Sequence, residues 1–126
     1  TLPQGVNFVL SSMKMMRGGE IFVPKIPSMS MTDLASVMGA GMPQRIVGIR
    51  PGEKLHEALI SRDDARLTRE LTDRYIVLPA IRGWSVGDPT FPGDRPVDEE
   101  FAYASDTNQE WLDADGLGRL LTLAQA

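Results

Sequence analysis

Strand-forming sequence is scarce in this chain, and that scarcity limits what the chain can fold into. Only three short stretches are rich in β-branched and aromatic residues, at residues 20–23, 45–49 and 74–78, and a proline follows each within two positions. Three short strands make a poor independent sheet, because a stable sheet needs several strands with a shared apolar face. We therefore expect these strands to be edge additions to a sheet whose main body lies elsewhere.

Helical segments alternate with these strands. Residues 3–16 carry apolar side chains at three- and four-residue spacing, which predicts a helix that ends at a Gly-Gly pair. Ser30, with Asp33 three positions later, has the arrangement of a helix N-cap, and Asp113 is placed to cap a last, leucine-rich helix. The pattern predicts an α/β class with α+β character, few short strands and several helices. Shorter helical turns are predicted at residues 55–60 and 63–66.

Composition bounds the size and the function class. At 126 residues and 42% hydrophobic content, the sequence predicts one domain over residues 1–126 with one modest core. The formal net charge of -4 and the mixed charges argue against a nucleic-acid-binding surface. The chain has no cysteine and one histidine, His56, so we expect no disulfide and no metal site. Because no apolar run approaches the ~20 residues of a membrane span, we expect a soluble, cytoplasmic protein.

The stretch from residue 79 to residue 101 lacks usable periodicity. It is rich in proline, glycine and scattered charge, which predicts an irregular segment. A loop of this length in a compact domain is usually functional or disordered. Its role is not evident from the residues.

Residues 50–57 are the strongest candidate for chemistry. A predicted strand delivers Arg50 to a Pro51-Gly52 turn, and the carboxylate of Glu53 follows. This geometry can aim a guanidinium fork and a carboxylate into one pocket. The guanidinium suits a pyrophosphate, and the carboxylate suits a pair of ribose hydroxyls. The alternative is a surface turn in which Arg50 and Glu53 pair with each other. Spacing alone favours that alternative.

Four stretches in order resemble one enzyme family across nearly the whole chain. They are residues 4–9 (Gln-Gly-Val-Asn-Phe-Val), 18–29 (Gly-Gly-Glu-Ile-Phe-Val-Pro-Lys-Ile-Pro-Ser-Met), 50–57 (Arg-Pro-Gly-Glu-Lys-Leu-His-Glu) and 105–108 (Ser-Asp-Thr-Asn). The set is similar to the bacterial UDP-N-acetylglucosamine 4,6-dehydratases and related polysaccharide-biosynthesis enzymes. These are lyases of the extended short-chain dehydrogenase superfamily. Four ordered matches are far more specific than any one alone.

The resemblance implies a Rossmann domain followed by a smaller C-terminal substrate-binding domain, with this chain similar to the latter. It implies that Arg50 holds the pyrophosphate of a UDP-sugar and that Glu53 holds the uridine ribose. Ser105, Asp106 and Asn108 are interpreted first as a turn that hydrogen-bonds its own backbone.

The family's catalytic parts have no counterpart in these residues. The NADP of full-length members needs a glycine-rich fingerprint, which the sequence lacks. Catalysis also needs a tyrosine four residues before a lysine, but Tyr75 is followed at that distance by Pro79 and Tyr103 by Thr107. We therefore expect no catalytic, cofactor-binding or metal-binding residue and no turnover by this chain alone.

Several alternatives remain open at this point. The chain could be a truncated product of a full dehydratase, a freestanding fragment that does little, or a stand-alone binding or oligomerisation module that is a relic of such an enzyme. The expected partners are a UDP-sugar and either a second copy or a Rossmann domain on which the chain docks. Neither a nucleic acid nor a membrane is expected as a partner.

Overall fold

A computed structural model describes residues 1–81 and 90–125, and it confirms the α/β class, with short strands among helices. The chain divides into two compact units. The first comprises Thr1, Ile26–Glu57 and the residues from Ala104 onward, and the second comprises Leu2–Lys25 and Ala58–Tyr103. The single domain over residues 1–126 stays a prediction.

The elements in chain order are α1 (Leu2–Met15), β1 (Ile21–Pro24), β2 (Ser28–Met29), α2 (Met31–Met38), β3 (Ala58–Ile60), a 3-10 helix (Arg62–Leu67), β4 (Thr68–Glu70), β5 (Arg74–Val77), β6 (Arg95–Pro96), β7 (Tyr103–Ala104), β8 (Trp111–Leu112) and α3 (Ala114–Gln125).

Strand β5 lies inside the main sheet of the second unit. The four strands have the order β1-β5-β4-β6, and all three pairings are antiparallel. All four residues of β5 are buried, because its Tyr-Ile-Val sequence is apolar on both faces. The predicted strands at residues 20–23 and 74–78 are thus confirmed, but the expectation that they only extend another sheet is wrong. Strands β4 and β6, which lack a recognisable pattern, complete a sheet within this unit.

The core of this unit is built around the tyrosines of β5 and β7. Tyr75 packs against the ring of Phe101 at 5.0 Å and against that of Tyr103 at 5.1 Å between centroids. Val23 and Ile60 are buried in the same cluster. Burial of Ile60 explains why the predicted helical turn at residues 55–60 is wrong: Ala58–Ile60 is strand β3, which turns Ile60 into the core.

The predicted strand at residues 45–49 is also absent. Ile46 is 88% exposed, and the described residues place no sheet edge beside it. Gly48 has φ of 81°, in the left-handed region, which interrupts an extended strand. The β-branched residues here therefore lack the cross-strand partners that make such a sequence a strand. Of the segment at residues 79–101, positions 82–89 lie outside the described residues, and the remainder contains one strand, β6.

Helix termini follow the sequence closely. Ser30 is the N-cap of α2 and accepts a hydrogen bond from the Asp33 backbone N–H at 3.4 Å. Asp113 accepts from the Gly116 N–H at 2.8 Å and so caps α3. The predicted caps of both helices are confirmed, because each depends only on neighbouring residues.

A buried arginine holds α1 against β5. Arg74 is 5% exposed, and its Nη1 and Nη2 each donate at 2.8 Å, to the Oγ atoms of Ser12 and Ser11. Its Nε and Nη2 also donate to the carboxylate of Asp73, at 3.0 and 2.7 Å. The guanidinium carbon lies 4.6 Å from the ring centroid of Phe8. A buried charge needs such complete pairing, and the hydrogen bond from Arg74 lowers the pKa of Asp73.

We expect Arg74→Ala to destabilise the protein by about 3 kcal/mol, because it leaves Ser12 buried without its partner and opens a cavity beside Phe8. Arg62→Ala is the control, since Arg62 is 72% exposed in its ion pair with Glu100, and it should change stability by less than about 0.5 kcal/mol. Urea unfolding followed by circular dichroism measures both. Equal effects of the two substitutions would contradict the anchoring role of Arg74.

A second polar cluster crosses the same sheet. Glu70 on β4 accepts from Lys25 Nζ at 2.7 Å and from Arg95 Nε at 2.8 Å, and Lys25 lies 4.9 Å from the ring centroid of Tyr75. The hydrogen bond from Lys25 is the main cause that lowers the pKa of Glu70 below its ordinary value of 4.5, and Arg95 adds to it while burial opposes it. Lys25 therefore has a structural role, in which it holds β1 and β4 together through Glu70.

The lowered pKa of Glu70 predicts a loss of stability in acid. A carboxylate with a lower pKa in the folded state contributes stability above the unfolded value of 4.5, and the contribution disappears as pH falls through the folded pKa. We expect Glu70→Gln to reduce the decrease in unfolding free energy between pH 6 and pH 3, as measured by urea titration at each pH. Glu100→Gln, at the exposed pair with Arg62, is the control and should leave the decrease unchanged. Identical pH profiles for Glu70→Gln and the unaltered chain would contradict the role of the cluster.

Candidate functional site

The signature at residues 50–57 forms a tight turn in the first unit. The Glu53 N–H donates to the Arg50 carbonyl at 3.0 Å, which closes a four-residue turn. Gly52 has φ of 86°, the value that the third position of a type II turn requires, after proline at the second. The predicted turn is therefore present, and Pro51 and Gly52 have the roles their residue types suggest.

The turn brings Arg50 and Glu53 together. The Arg50 backbone N–H donates to Glu53 Oε2 at 2.8 Å, and Arg50 Nε lies 3.5 Å from Glu53 Oε1. This is the pairing of the surface-turn alternative. The Glu53 carboxylate thus stabilises the turn, because it accepts a hydrogen bond from a backbone N–H of the same turn.

Both side chains are nevertheless open to solvent. The side chain of Arg50 is 80% exposed and that of Glu53 is 49% exposed. Within the part of the chain that the structure describes, Nη1 and Nη2 of Arg50 make no hydrogen bond, and the side chain is largely exposed to solvent. One guanidinium edge is thereby available for a bidentate contact with an anion, while Nε stays with Glu53. The assignment of pyrophosphate to Arg50 and ribose to Glu53 stays a prediction.

Ser105 holds the downstream end of the signature. Its Oγ accepts from the Glu57 N–H at 3.0 Å, and its own N–H donates to the Glu57 carbonyl at 2.8 Å. Two motifs that lie 48 positions apart in sequence are therefore in direct contact. The sequence interpretation of Ser105 as part of a self-contained turn missed this contact, because a hydroxyl gives no sign of which distant backbone it binds.

Asn108 connects two further segments of the same unit. Its Nδ2 donates to the Ile26 carbonyl at 2.8 Å and to Ser28 Oγ at 3.1 Å, while its Oδ1 accepts from the Glu110 N–H at 3.1 Å. The last contact is the local turn bond that the sequence predicts, and the first two are long-range. Together they set β2 beside β8, a parallel pair with Ser28 opposite Trp111.

The chain has two tryptophans, Trp84 and Trp111. Trp111 donates its indole N–H to the Asn108 carbonyl at 2.8 Å, and half of its surface is exposed. Trp84 lies outside the described residues.

Among residues 1–81 and 90–125, no group of three or more acidic, histidine or cysteine side chains is placed to hold a metal ion. No described helix has the length and apolar character to cross a membrane.

We expect Asn108→Ala to loosen the pairing of β2 with β8, since the side chain satisfies two polar groups of residues 26–28. The Ser28 N–H donates to the Glu110 carbonyl at 2.8 Å, and its hydrogen exchange should become about tenfold faster, which corresponds to about 1.4 kcal/mol. Asp106→Ala, at an exposed position of the same loop, is the control and should leave that exchange rate unchanged. An unchanged rate in Asn108→Ala would contradict the connecting role.

Comparisons with known proteins identify a family for this chain. The profile described as polysaccharide biosynthesis protein matches residues 1–79, which include the turn of Arg50 and Glu53. The chain is 44% identical over 117 residues to the UDP-N-acetylglucosamine 4,6-dehydratase (inverting) of Campylobacter jejuni, covering 88% of this chain and 35% of that protein. It is 35% identical over 79 residues to a UDP-glucose 4-epimerase of Rickettsia canadensis, covering 60% of this chain and 23% of that protein.

A solved structure supports the same relationship. The X-ray structure of Pen from Bacillus thuringiensis superposes with a TM-score of 0.80 at 28% sequence identity, covering 99% of this chain and 37% of that one. The chain therefore spans about a third of the length of the relatives it matches.

Proposed function

The chain belongs to the polysaccharide biosynthesis protein family, and from that premise we propose that it supplies the UDP-sugar-binding portion of a nucleotide-sugar 4,6-dehydratase. The observation that carries the proposal is the braced turn of Arg50 and Glu53, which lies inside the matched residues and points two guanidinium donors at solvent. A relative with 44% identity is a UDP-N-acetylglucosamine 4,6-dehydratase, so UDP-N-acetylglucosamine is the substrate to test first.

Arg50 is proposed to contact the pyrophosphate. A diphosphate presents oxygens at the spacing of a guanidinium fork, and charge-assisted hydrogen bonds of this kind are about twice as strong as neutral ones. The chain has a net charge of -4, so no general positive field assists the binding. Recognition of the anion therefore depends on individually placed cations, and its affinity should fall as salt rises.

Glu53 is proposed to contact the ribose hydroxyls. Its Oε2 already accepts from the Arg50 N–H and its Oε1 lies near Arg50 Nε, but each carboxylate oxygen has a second lone pair. The same carboxylate can thus brace the turn and accept from a hydroxyl. In this arrangement the fixed turn sets the spacing between the phosphate-binding and ribose-binding groups, so little conformational freedom is lost when the ligand binds.

Turnover is proposed to need residues outside this chain. The sequence contains neither the glycine-rich fingerprint for NADP nor a tyrosine four positions before a lysine. In a protein of the relatives' length, about two thirds of the residues lie beyond the matched part. Those residues would bind the nicotinamide cofactor and provide the catalytic groups. Arg50 and Glu53 would bind and orient the UDP moiety.

Titration of the chain with UDP-N-acetylglucosamine and with UDP, followed by amide chemical shifts in NMR, tests the proposal. We expect both ligands to bind with similar dissociation constants of about 1 mM or weaker, because one exposed guanidinium in water contributes only about 1 kcal/mol or less. The largest shifts should lie at residues 50–57. Arg50→Ala should abolish binding, because it removes the only proposed phosphate contact.

Two further variants separate recognition from turn geometry. Glu53→Gln keeps an oxygen that accepts from the Arg50 N–H but removes the negative charge. It should therefore weaken the binding of the nucleotide and leave the amide chemical shifts of the ligand-free turn unchanged. Arg62→Ala removes a comparably exposed arginine, also paired with a glutamate, and should leave binding unchanged. Binding that survives Arg50→Ala would contradict the assignment of the pyrophosphate to Arg50, and a folded chain that binds neither ligand would favour the alternative of a non-enzymatic relic of such an enzyme.

A further inference from the structure

The turn of Arg50 and Glu53 lies in a long exposed segment of the first unit. Every residue from position 40 to position 57 is exposed, so buried apolar contacts contribute little to holding this segment in place. The hydrogen bonds of the turn itself join Arg50 to Glu53, and they fix the shape of the turn but not its position. The position of the turn therefore depends on the contacts that hold the two ends of the segment.

A serine holds each end of this segment. At the upstream end, Gln44 Nε2 donates to the Oγ of Ser36 on α2 at 2.8 Å. At the downstream end, the Glu57 N–H donates to Ser105 Oγ at 3.0 Å, and the Ser105 N–H donates to the Glu57 carbonyl at 2.8 Å. We call residues 45–56, which lie between these contacts, the signature strap. The two serines are its anchors.

We infer that Ser36 and Ser105 are positioning residues, whose hydroxyls hold the signature strap where its turn can meet the UDP moiety. Their partners, Gln44 and Glu57, lie outside the turn, so both serines act through the strap and not on the ligand. The turn begins six positions after Gln44 and ends four positions before Glu57, so a displacement of either end moves it. This inference rests on the function proposed above for the turn.

The anchors are weak enough for the strap to open. The bond between Gln44 and Ser36 joins two exposed side chains, for which water competes. Ser105 is half-buried, and it holds Glu57 through one side-chain and one backbone hydrogen bond. Loss of one such hydrogen bond shifts an equilibrium by about fivefold. A ligand that binds only the held strap is weakened in proportion to the fraction of chains in which the strap is held.

Limited trypsin digestion of the whole chain, with each cut identified by mass spectrometry, examines the two anchors separately. Trypsin can cut the strap after Arg45, beside the upstream anchor, and after Lys54, near the downstream one. The bond after Arg50 is resistant, because Pro51 follows it. The rate of each cut follows the population in which that part of the strap is open.

The two anchors should have opposite effects on the two cuts. Ser105→Ala should speed the cut after Lys54 by about fivefold and the cut after Arg45 by about twofold or less. Ser36→Ala, which leaves the cleaved segment unaltered, should speed mainly the cut after Arg45. Threonine at either anchor keeps the hydroxyl and should restore the slower rate. Strap cuts that neither alanine substitution accelerates overturn the inference.

Two controls separate local release from general loss of stability. The cut after Arg69, on β4 of the second unit, is the internal reference and should keep its rate in every variant. Ser61→Ala is the matched variant, since the Ser61 hydroxyl is also exposed and donates to Asp64 at 2.6 Å. It should leave both strap cuts unchanged. Equal acceleration of the strap cuts and the reference cut in Ser105→Ala overturns the inference.

The NMR titration with UDP connects the strap to the ligand. The double variant Ser36→Ala with Ser105→Ala should raise the dissociation constant by about threefold, because the held strap becomes a minor population. The double threonine variant should bind UDP as the unaltered chain does. An unaltered chain that binds no UDP contradicts the proposed function, and the positioning role falls with it. A chain that binds UDP, with the same dissociation constant in the double alanine variant, overturns the positioning role alone.

Discussion

The guanidinium of Arg74 is the interaction on which the second unit depends. A buried arginine has five donors and a charge, and both must be satisfied before the side chain can leave water. Here Asp73 supplies the counter-charge and Ser11 and Ser12 supply acceptors, so β5 and α1 are tied through one side chain. The side of α1 that packs on β5 therefore carries the hydroxyls of Ser11 and Ser12. Leu2, Val6 and Val9 of the helix are exposed in this chain.

The first unit relies on a different principle. Its described sheet is the two-residue pair of β2 and β8, and much of its long-range order comes from polar side chains that bind distant backbone groups. Asn108 binds residues 26–28, and Ser105 binds Glu57. Such bonds give definite geometry with little buried area. They place the downstream end of the signature at residues 50–57 while leaving its Arg50–Glu53 turn exposed, as a surface that meets a ligand must be.

The turn also shows how a structural and a functional explanation coexist. Glu53 pairs with Arg50, as the surface-turn alternative requires: its carboxylate accepts from the Arg50 backbone N–H and lies 3.5 Å from Arg50 Nε. A braced arginine loses less freedom on binding an anion than an unrestrained one. The family relationship gives the reason to assign a UDP-sugar to these donors. The geometry by itself leaves the Arg50 guanidinium exposed to solvent and identifies no particular ligand.

The sequence by itself determined the features that depend on near neighbours. The helix at residues 3–16, the caps at Ser30 and Asp113, the strands at residues 20–23 and 74–78, the Pro-Gly turn and the family could all be read from local pattern or ordered motifs, and all were found. Tertiary structure decided the rest. Residues 45–49 have a strand composition but no sheet edge, β4 and β6 pair despite their polar sequence, and Asn108 and Ser105 bind partners far along the chain. Strand pairing and side-chain-to-backbone bonds depend on which distant group is within about 3 Å, and a linear pattern carries no record of that distance.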